Sequence, residues 1–267
     1  MTRHAFVLPD QEMVVFWAPK AACSTIAEVI AFSVLPKPVL DAWDFDVGGP
    51  RLLLEQQGYL KDGKAARQLA AARGYKSIAI IRDPYERLIS AFVNKFVVKN
   101  DRPILNYTDM EPFAFRFIQD NYRALGYWRK PEVSRKWSGI TFRQFVTVVC
   151  DIIDTSDETT RHLNQHWNTQ IPDTVFEDHF MFDAVYSLST MDNFFELLQA
   201  RTGIKVFIPH RNASHYSLAE GKNQVDLNAL KICENQIFSK AAFEDPELRT
   251  RVKASFQNDH DILKLAA

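Results

Sequence analysis

Residues 13–35 read MVVFWAPKAACSTIAEVIAFSVL, and the change of pattern inside this stretch decides the fold. Met13-Val14-Val15-Phe16-Trp17 is a short apolar, β-prone run with the composition of a buried strand. Ala18-Pro19-Lys20-Ala21-Ala22-Cys23 interrupts it. Ser24 or Thr25 then opens an apolar helix from Ile26 to about Leu35, which Pro36 stops. The same order recurs at residues 77–90, SIAIIRDPYERLIS. Ser77–Ile81 is a second buried strand that runs directly into Arg82-Asp83-Pro84. Asp83 takes the N-cap, Pro84 the first helical position, and Glu86 completes a capping box. Leu88, Phe92 and Phe96 follow at i, i+4 spacing, a stripe that faces a core.

Two strand–turn–helix units, each with a basic residue at its turn, predict an α/β class. The architecture expected is a three-layer, P-loop-like fold with a central parallel sheet flanked by helices. In such folds ligands sit outside the carboxyl ends of the strands. Further helices are expected over 112–125, 141–153 and 190–201, with strands at Val185–Leu188 and Lys205–Ile208. A helical stretch over 225–265 should break near Pro246. With no repeat, low-complexity tract or Gly/Ser linker, the chain reads as one domain over residues 1–267.

The 267 residues are 46% hydrophobic and 24% charged, which excludes a disordered, collagen-like or coiled-coil chain. The net charge of −1 leaves no global basic field to attract nucleic acid or lipid, so an anion must be held by a local site. The charge is unevenly spread. Residues 61–102 carry ten Lys/Arg against four acids, and residues 151–196 carry ten acids against Arg161 alone. Cys23, Cys150 and Cys233 are an odd, scattered set that argues against a disulfide framework or zinc site and fits a reducing compartment. No metal-ligand cluster, signal-peptide core or run of about 20 apolar residues stands out, so the expectation is a metal-independent, cytoplasmic protein without an integral membrane segment.

The two turns carry the chemistry. A strand that ends in a tight loop opening a helix aims free backbone N–H groups at one point, an anion cradle. Around it lie Pro19, Lys20, Ala21, Ala22, Cys23, Ser24 and Thr25, with Lys20 as a mobile cation and two hydroxyl donors. The loop contains no glycine and no GxxxxGK[ST] pattern, which disfavours a magnesium-dependent kinase. In the second turn Arg82 leaves the strand end and Ser90 lies eight residues on; both can reach one phosphate, the arginine through its bidentate fork.

Together, PK-x-x-C-[ST]-[ST] after the first strand and RDPYERLISAF after an internal strand resemble the paired signature of the carbohydrate sulfotransferases that modify chondroitin, dermatan and related glycans. The resemblance implies that Lys20, Cys23, Ser24 and Thr25 line the 5′-phosphosulfate of 3′-phosphoadenosine 5′-phosphosulfate (PAPS), and that Arg82 and Ser90 hold its 3′-phosphate. His166-Trp167-Asn168-Thr169-Gln170 looks like the family's HWxPQ segment, and Phe256-Gln257-Asn258-Asp259 like its terminal YxxD. The activity implied is transfer of the sulfuryl group of PAPS to a carbohydrate hydroxyl by in-line displacement, without metal, in a bacterial, cytosolic counterpart of the anchored relatives. Lys20 would neutralise the leaving oxygen, as charge stabilisation does in phosphoryl transfer.

An acceptor hydroxyl also needs a base. His166 is the first choice, with His162 beside it on one face if the segment is helical; Asp44 and Glu55 are alternatives. His210 sits in a polar loop that could close over the nucleotide. Trp128, Arg129 and Lys130 interleave an aromatic with cations, as a sugar-binding surface does, or as an ordinary amphipathic element does. Two rival functions remain open: an atypical nucleotide or sugar kinase, and a non-catalytic protein that binds 3′-phosphoadenosine 5′-phosphate (PAP) or a glycan.

Overall fold

The computed structural model describes residues 4–99, 102–158, 160–177, 179–205, 223–235 and 240–266. In chain order the elements are β1 (His4–Leu8), β2 (Met13–Trp17), α1 (Cys23–Val34), α2 (Lys37–Asp41), α3 (Pro50–Gln56), β3 (Leu60–Asp62), α4 (Gly63–Arg73), β4 (Lys76–Ile80) and α5 (Pro84–Phe92). There follow β5 (Val98–Lys99), β6 (Arg102–Pro103), α6 (Pro112–Asp120), α7 (Phe142–Thr155), α8 (Asp173–Glu177), β7 (Ala184–Tyr186), α9 (Met191–Thr202), α10 (Ala229–Asn235), α11 (Pro246–Ser255) and α12 (Gln257–Leu263). These gather into two compact units. Unit 1 comprises Met1–Asp83, Gln170–Asn212 and Asn258–Ala267; unit 2 comprises Pro84–Thr169 and Ala213–Gln257.

Unit 1 is built on a five-stranded sheet in the order β3-β1-β2-β4-β7. Alternation of side chains sends Phe6, Leu8, Met13, Val15, Trp17, Ile78 and Ile80 to one face, where they pack with residues of α1, α3 and α9. Ala5, Val7 and Val14 face Ala66 and Ala70 of α4 on the other, and Ala79, Ile81 and Val185 meet Ile262 of α12 there. Each fully buried aliphatic or aromatic side chain contributes about 1.5–3 kcal/mol, so both faces are held by burial. The three layers are those the sequence predicts.

The sheet is mixed rather than parallel throughout. β2, β4 and β7 run parallel, but β1 is antiparallel to both β2 and β3. The reason is the link between β1 and β2. A single 3₁₀ turn over Pro9–Gln11, ending at Glu12 with φ 51°, joins them, and so short a connection can only return the chain antiparallel. Neither β1 nor β3 is among the strands expected from the sequence.

Among its described residues, unit 2 is built from helices and loops, with one short antiparallel strand pair, β5 and β6. Its core is aromatic: Phe92, Phe96, Phe142, Phe145 and Phe243 are all fully buried, with Phe117 and Trp167 against them. The Leu88/Phe92/Phe96 stripe lies inside it, as its spacing predicts. Beyond Phe92 the helix continues as a π-helical turn, Val93–Val97. Elsewhere the boundaries move. The helix expected over 112–125 ends at Asp120, and the described residues of 225–265 hold three α-helices and a 3₁₀ turn at Lys240–Phe243, Pro246 opening α11 at its first turn. The strand expected at Lys205–Ile208 lies outside the described residues beyond Lys205, as does His210. Among the described residues no helix is long and apolar enough to cross a membrane.

Candidate active site

In unit 1, β2 and β4 lie side by side with Trp17 opposite Ile80, so the two turns leave the same edge of the sheet. The first is a reverse turn in which Ala21 N–H donates to the Ala18 carbonyl at 3.2 Å. Pro19 stands at its second position and Lys20, with φ 70°, at its third, the pattern of a type II turn. Ala22 follows with φ 57° and ψ 28° and serves as N-cap of α1. The helix therefore begins at Cys23, a residue or two before the expected opening at Ser24 or Thr25.

Two left-handed non-glycine residues within three positions cost about 1–2 kcal/mol each. Alternation of left- and right-handed residues is how successive N–H groups come to line an anion-receiving nest, and the left-handed positions at Lys20 and Ala22 set the chain up for one at the entry to α1. The end of α1 fits the same purpose. α4, α7 and α11 are capped by the side chains of Asp62, Thr141 and Asp245, whereas Ala22 offers α1 no side-chain cap. The N–H groups of Cys23, Ser24 and Thr25 have no intrahelical acceptor and lie at the positive end of the helix. Ser24 is exposed while Cys23 and Thr25 are half-buried. Ala21 does not join them: its methyl is fully buried and its N–H is spent on the turn.

Arg82 connects the second turn to the first. Its Nη1 donates to the Lys20 carbonyl at 3.1 Å, and its side chain is only 9% exposed. Its own peptide is held on both sides by the Gln170 amide: Arg82 N–H donates to Gln170 Oε1 at 3.0 Å, and Gln170 Nε2 donates to the Arg82 carbonyl at 2.7 Å. Asp259, fully buried, accepts in turn from Gln170 N–H and Ile171 N–H, both at 2.8 Å. Three motifs far apart in the sequence thus meet at Arg82. A cavity at this edge, lined by His4, Trp17, Ala18, Arg67, Ile81 and Gln170 among others, measures about 20 Å³, room for little more than one water. At this edge that cavity is too small for a nucleotide, so a larger ligand would lie against the loop at Lys20–Thr25, where Ser24 is exposed.

His4 is the residue that sequence reasoning missed. Antiparallel pairing sets it opposite Trp17 at the same sheet edge, with the rings stacked at 5.4 Å. Burial, aided by the Arg51 charge, pulls its pKa below the usual histidine value, so it is neutral at physiological pH. No local signal reveals it, because the placement depends on the direction of β1.

The other candidates lie in unit 2 or on exposed ground. Ser90 is buried on α5. The segment holding His162 and His166 is not helical, so the shared face expected for them does not exist. Instead, Arg87 draws the backbone into a turn: its Nη1 donates to the Asn168 carbonyl at 2.7 Å and its Nη2 to the Gln165 carbonyl at 2.5 Å. His162 is exposed. His166 is half-buried, its ring stacked on Phe113 at 4.9 Å. Asn164 Oδ1 receives the His166 backbone N–H at 3.0 Å and lies 2.5 Å from Nδ1. An oxygen that already accepts a backbone N–H fixes Nδ1 as a donor, so in the neutral ring Nε2 carries the lone pair. That tautomer suits a base.

Asp44 is less suited: its Oδ1 accepts the N–H groups of Asp46 and Val47 and shapes an exposed turn. Glu55 is exposed on α3. Trp128 is 92% exposed, with Arg129 and Lys130 exposed beside it, while Trp137 is buried. The amphipathic alternative, which buries the aromatic, therefore does not describe Trp128.

A family model described as "Sulfotransferase family" matches residues 3–266. The chain is similar to carbohydrate sulfotransferase 11 of Rattus norvegicus and of Mus musculus, at 21% identity over 190 residues in each case. The aligned part is 71% of this chain and 50% of each relative, so the chain spans about half the length of the curated relatives it matches. No solved structure matches.

Proposed function

Because the chain belongs to the sulfotransferase family, we propose that it transfers the sulfuryl group of PAPS to a hydroxyl of a carbohydrate acceptor, with residues 1–267 acting as one sulfotransferase domain. The observation that carries this reading is the bond from Arg82 to the Lys20 carbonyl. It joins the phosphate-type loop and the arginine turn at one sheet edge, beside uncapped helix N–H groups, where a doubly phosphorylated nucleotide needs both. A Walker lysine and glycines are absent there, which disfavours the kinase alternative.

The donor supplies a sulfuryl group already activated by its phosphate; the rest is charge and position. In this reading the N–H groups of Cys23, Ser24 and Thr25 hold the 5′ side, and Lys20 meets the charge that grows on the leaving phosphate oxygen. Arg82, with Ser90, takes the 3′-phosphate. The acceptor oxygen forms its bond to sulfur as the sulfur–phosphate oxygen bond breaks, and its proton passes to a base. We assign that base to His166 through Nε2, on the resemblance of its segment and its tautomer. Trp128, Arg129 and Lys130 are proposed as a sugar-contacting surface.

Thermal melts with PAP, AMP and magnesium-ATP test the reading. A ligand at 100 times its Kd stabilises by about 2.7 kcal/mol, a rise of roughly 5–10 °C at this chain size. A shift with PAP that AMP does not reproduce is expected. A shift with magnesium-ATP alone would replace the sulfotransferase reading with a kinase. If PAP raises the midpoint but no sulfate reaches any sugar acceptor, the chain is a binding protein.

A further inference from the structure

We infer that Gln170 and Asp259 are positioning residues of the nucleotide site: they lock the peptide of Arg82 and, through its guanidinium, the left-handed turn at Lys20. The inference rests on the nucleotide reading above. β4 ends at Ile80, and Ile81 still donates to the Tyr186 carbonyl of β7 at 3.0 Å. At Arg82 the Gln170 side chain takes over, pairing with both N–H and C=O of that residue as a neighbouring strand would. An amide side chain here continues the ladder by one residue, up to the start of α5.

The amide can do this only in one orientation, and Asp259 sets it. Oδ2 of Asp259 accepts from Gln170 Nε2 at 3.3 Å and from Gln170 N–H at 2.8 Å, while Oδ1 accepts Gln170 N–H and Ile171 N–H, each at 2.8 Å. Every one of these partners is a donor. A group that only accepts is therefore required, and a flipped glutamine would set its oxygen against a carboxylate oxygen. Burying a carboxylate is costly unless its hydrogen bonds are made, and the fully buried Asp259 makes its own to the Gln170 and Ile171 donors, which ties its position to theirs. The path runs from Asp259 to Gln170, to the Arg82 peptide, and by Arg82 Nη1 to the Lys20 carbonyl. None of the bonds leaves unit 1.

Titration calorimetry with PAP and with AMP, on wild type, Arg82→Ala, Gln170→Ala and Asp259→Asn, tests this, with ligand-free melts recorded alongside. Asp259→Asn keeps the side-chain volume but turns an NH₂ toward donors. Should Gln170→Ala fail to fold, Asp259→Asn decides. The expected result is at least a tenfold loss of PAP affinity in both variants, exceeding the loss for AMP at least threefold. A purely structural role would lower the ligand-free midpoint and leave both dissociation constants of the folded protein within twofold, which overturns the inference. If Arg82→Ala removes the preference for PAP while both other variants keep it, the inference alone fails. If wild type itself prefers AMP or shows no preference, the nucleotide reading fails and takes the inference with it.

Discussion

The backbone at Ala22 makes a prediction whose sign differs between two substitutions. A left-handed alanine costs about 1–2 kcal/mol relative to glycine. Ala22→Gly recovers that amount but loosens the unfolded chain by about 0.4–1 kcal/mol. It also removes a half-buried methyl that packs against the core of unit 1, worth at most about 0.8 kcal/mol. These nearly cancel, so the midpoint should stay within about 1 kcal/mol of wild type, or roughly 2–4 °C. Ala22→Val puts a β-branched residue where φ is 57°, adding about 1–3 kcal/mol of strain, a fall of roughly 2–12 °C. Differential scanning calorimetry of the three proteins without ligand reads both effects. PAP binding should survive in the glycine variant and weaken in the valine variant. A valine variant as stable as wild type, or a glycine variant several degrees less stable, would refute the left-handed turn and the nest built on it.

Other outcomes follow from the site and from the titrating groups. Lys20→Ala should cut turnover by about 10²–10³-fold with a much smaller change in PAP affinity; equal losses in both would remove its role at the leaving oxygen. His166→Ala should lower turnover by about 10²–10⁴-fold with PAP binding intact, and near-normal turnover would pass the base to another group, His4 and His162 first. Acid should destabilise both units. Asp183 is held below the ordinary carboxylate pKa by Ser77 N–H and hydroxyl, and Asp245 by Leu248 N–H and then Arg143. A depressed pKa stabilises above the unfolded value and is lost as pH falls through the folded one. The midpoint should therefore drop as pH falls below about 4, less steeply in Asp183→Asn and Asp245→Asn. A pH-independent midpoint between 5 and 2.5 would contradict both assignments.

Much of this was legible because it is local. The period change at residues 13–35 and 77–90 marks two strand–turn–helix units, and both turns do reach one sheet edge. The stripe of Leu88, Phe92 and Phe96 is core because helical spacing alone makes it so. What was hidden depends on long-range pairing or on backbone handedness. His4 reaches the edge only because β1 runs backward. Ala22 caps α1 in a conformation that side-chain preference argues against. His162 and His166 fit a helical spacing, but Arg87 takes two carbonyls of their segment and bends it into a turn. The clamp on Arg82 joins residues 88 and 89 positions apart, beyond the reach of any local pattern.

That clamp also sets an order of events in time. During synthesis β1, β2 and β4 are complete by residue 80, and Arg82 is in place two residues later. Its peptide then waits for Gln170, and the Gln170 amide waits for Asp259. All of unit 2 is made in the interval. Contacts so far apart in sequence form slowly, and an incomplete sheet exposes apolar surface meanwhile. A nascent chain therefore carries its anion loop early but acquires a set Arg82 only after residue 259 has emerged, so stalled or clipped chains lacking that residue would be unable to complete the site.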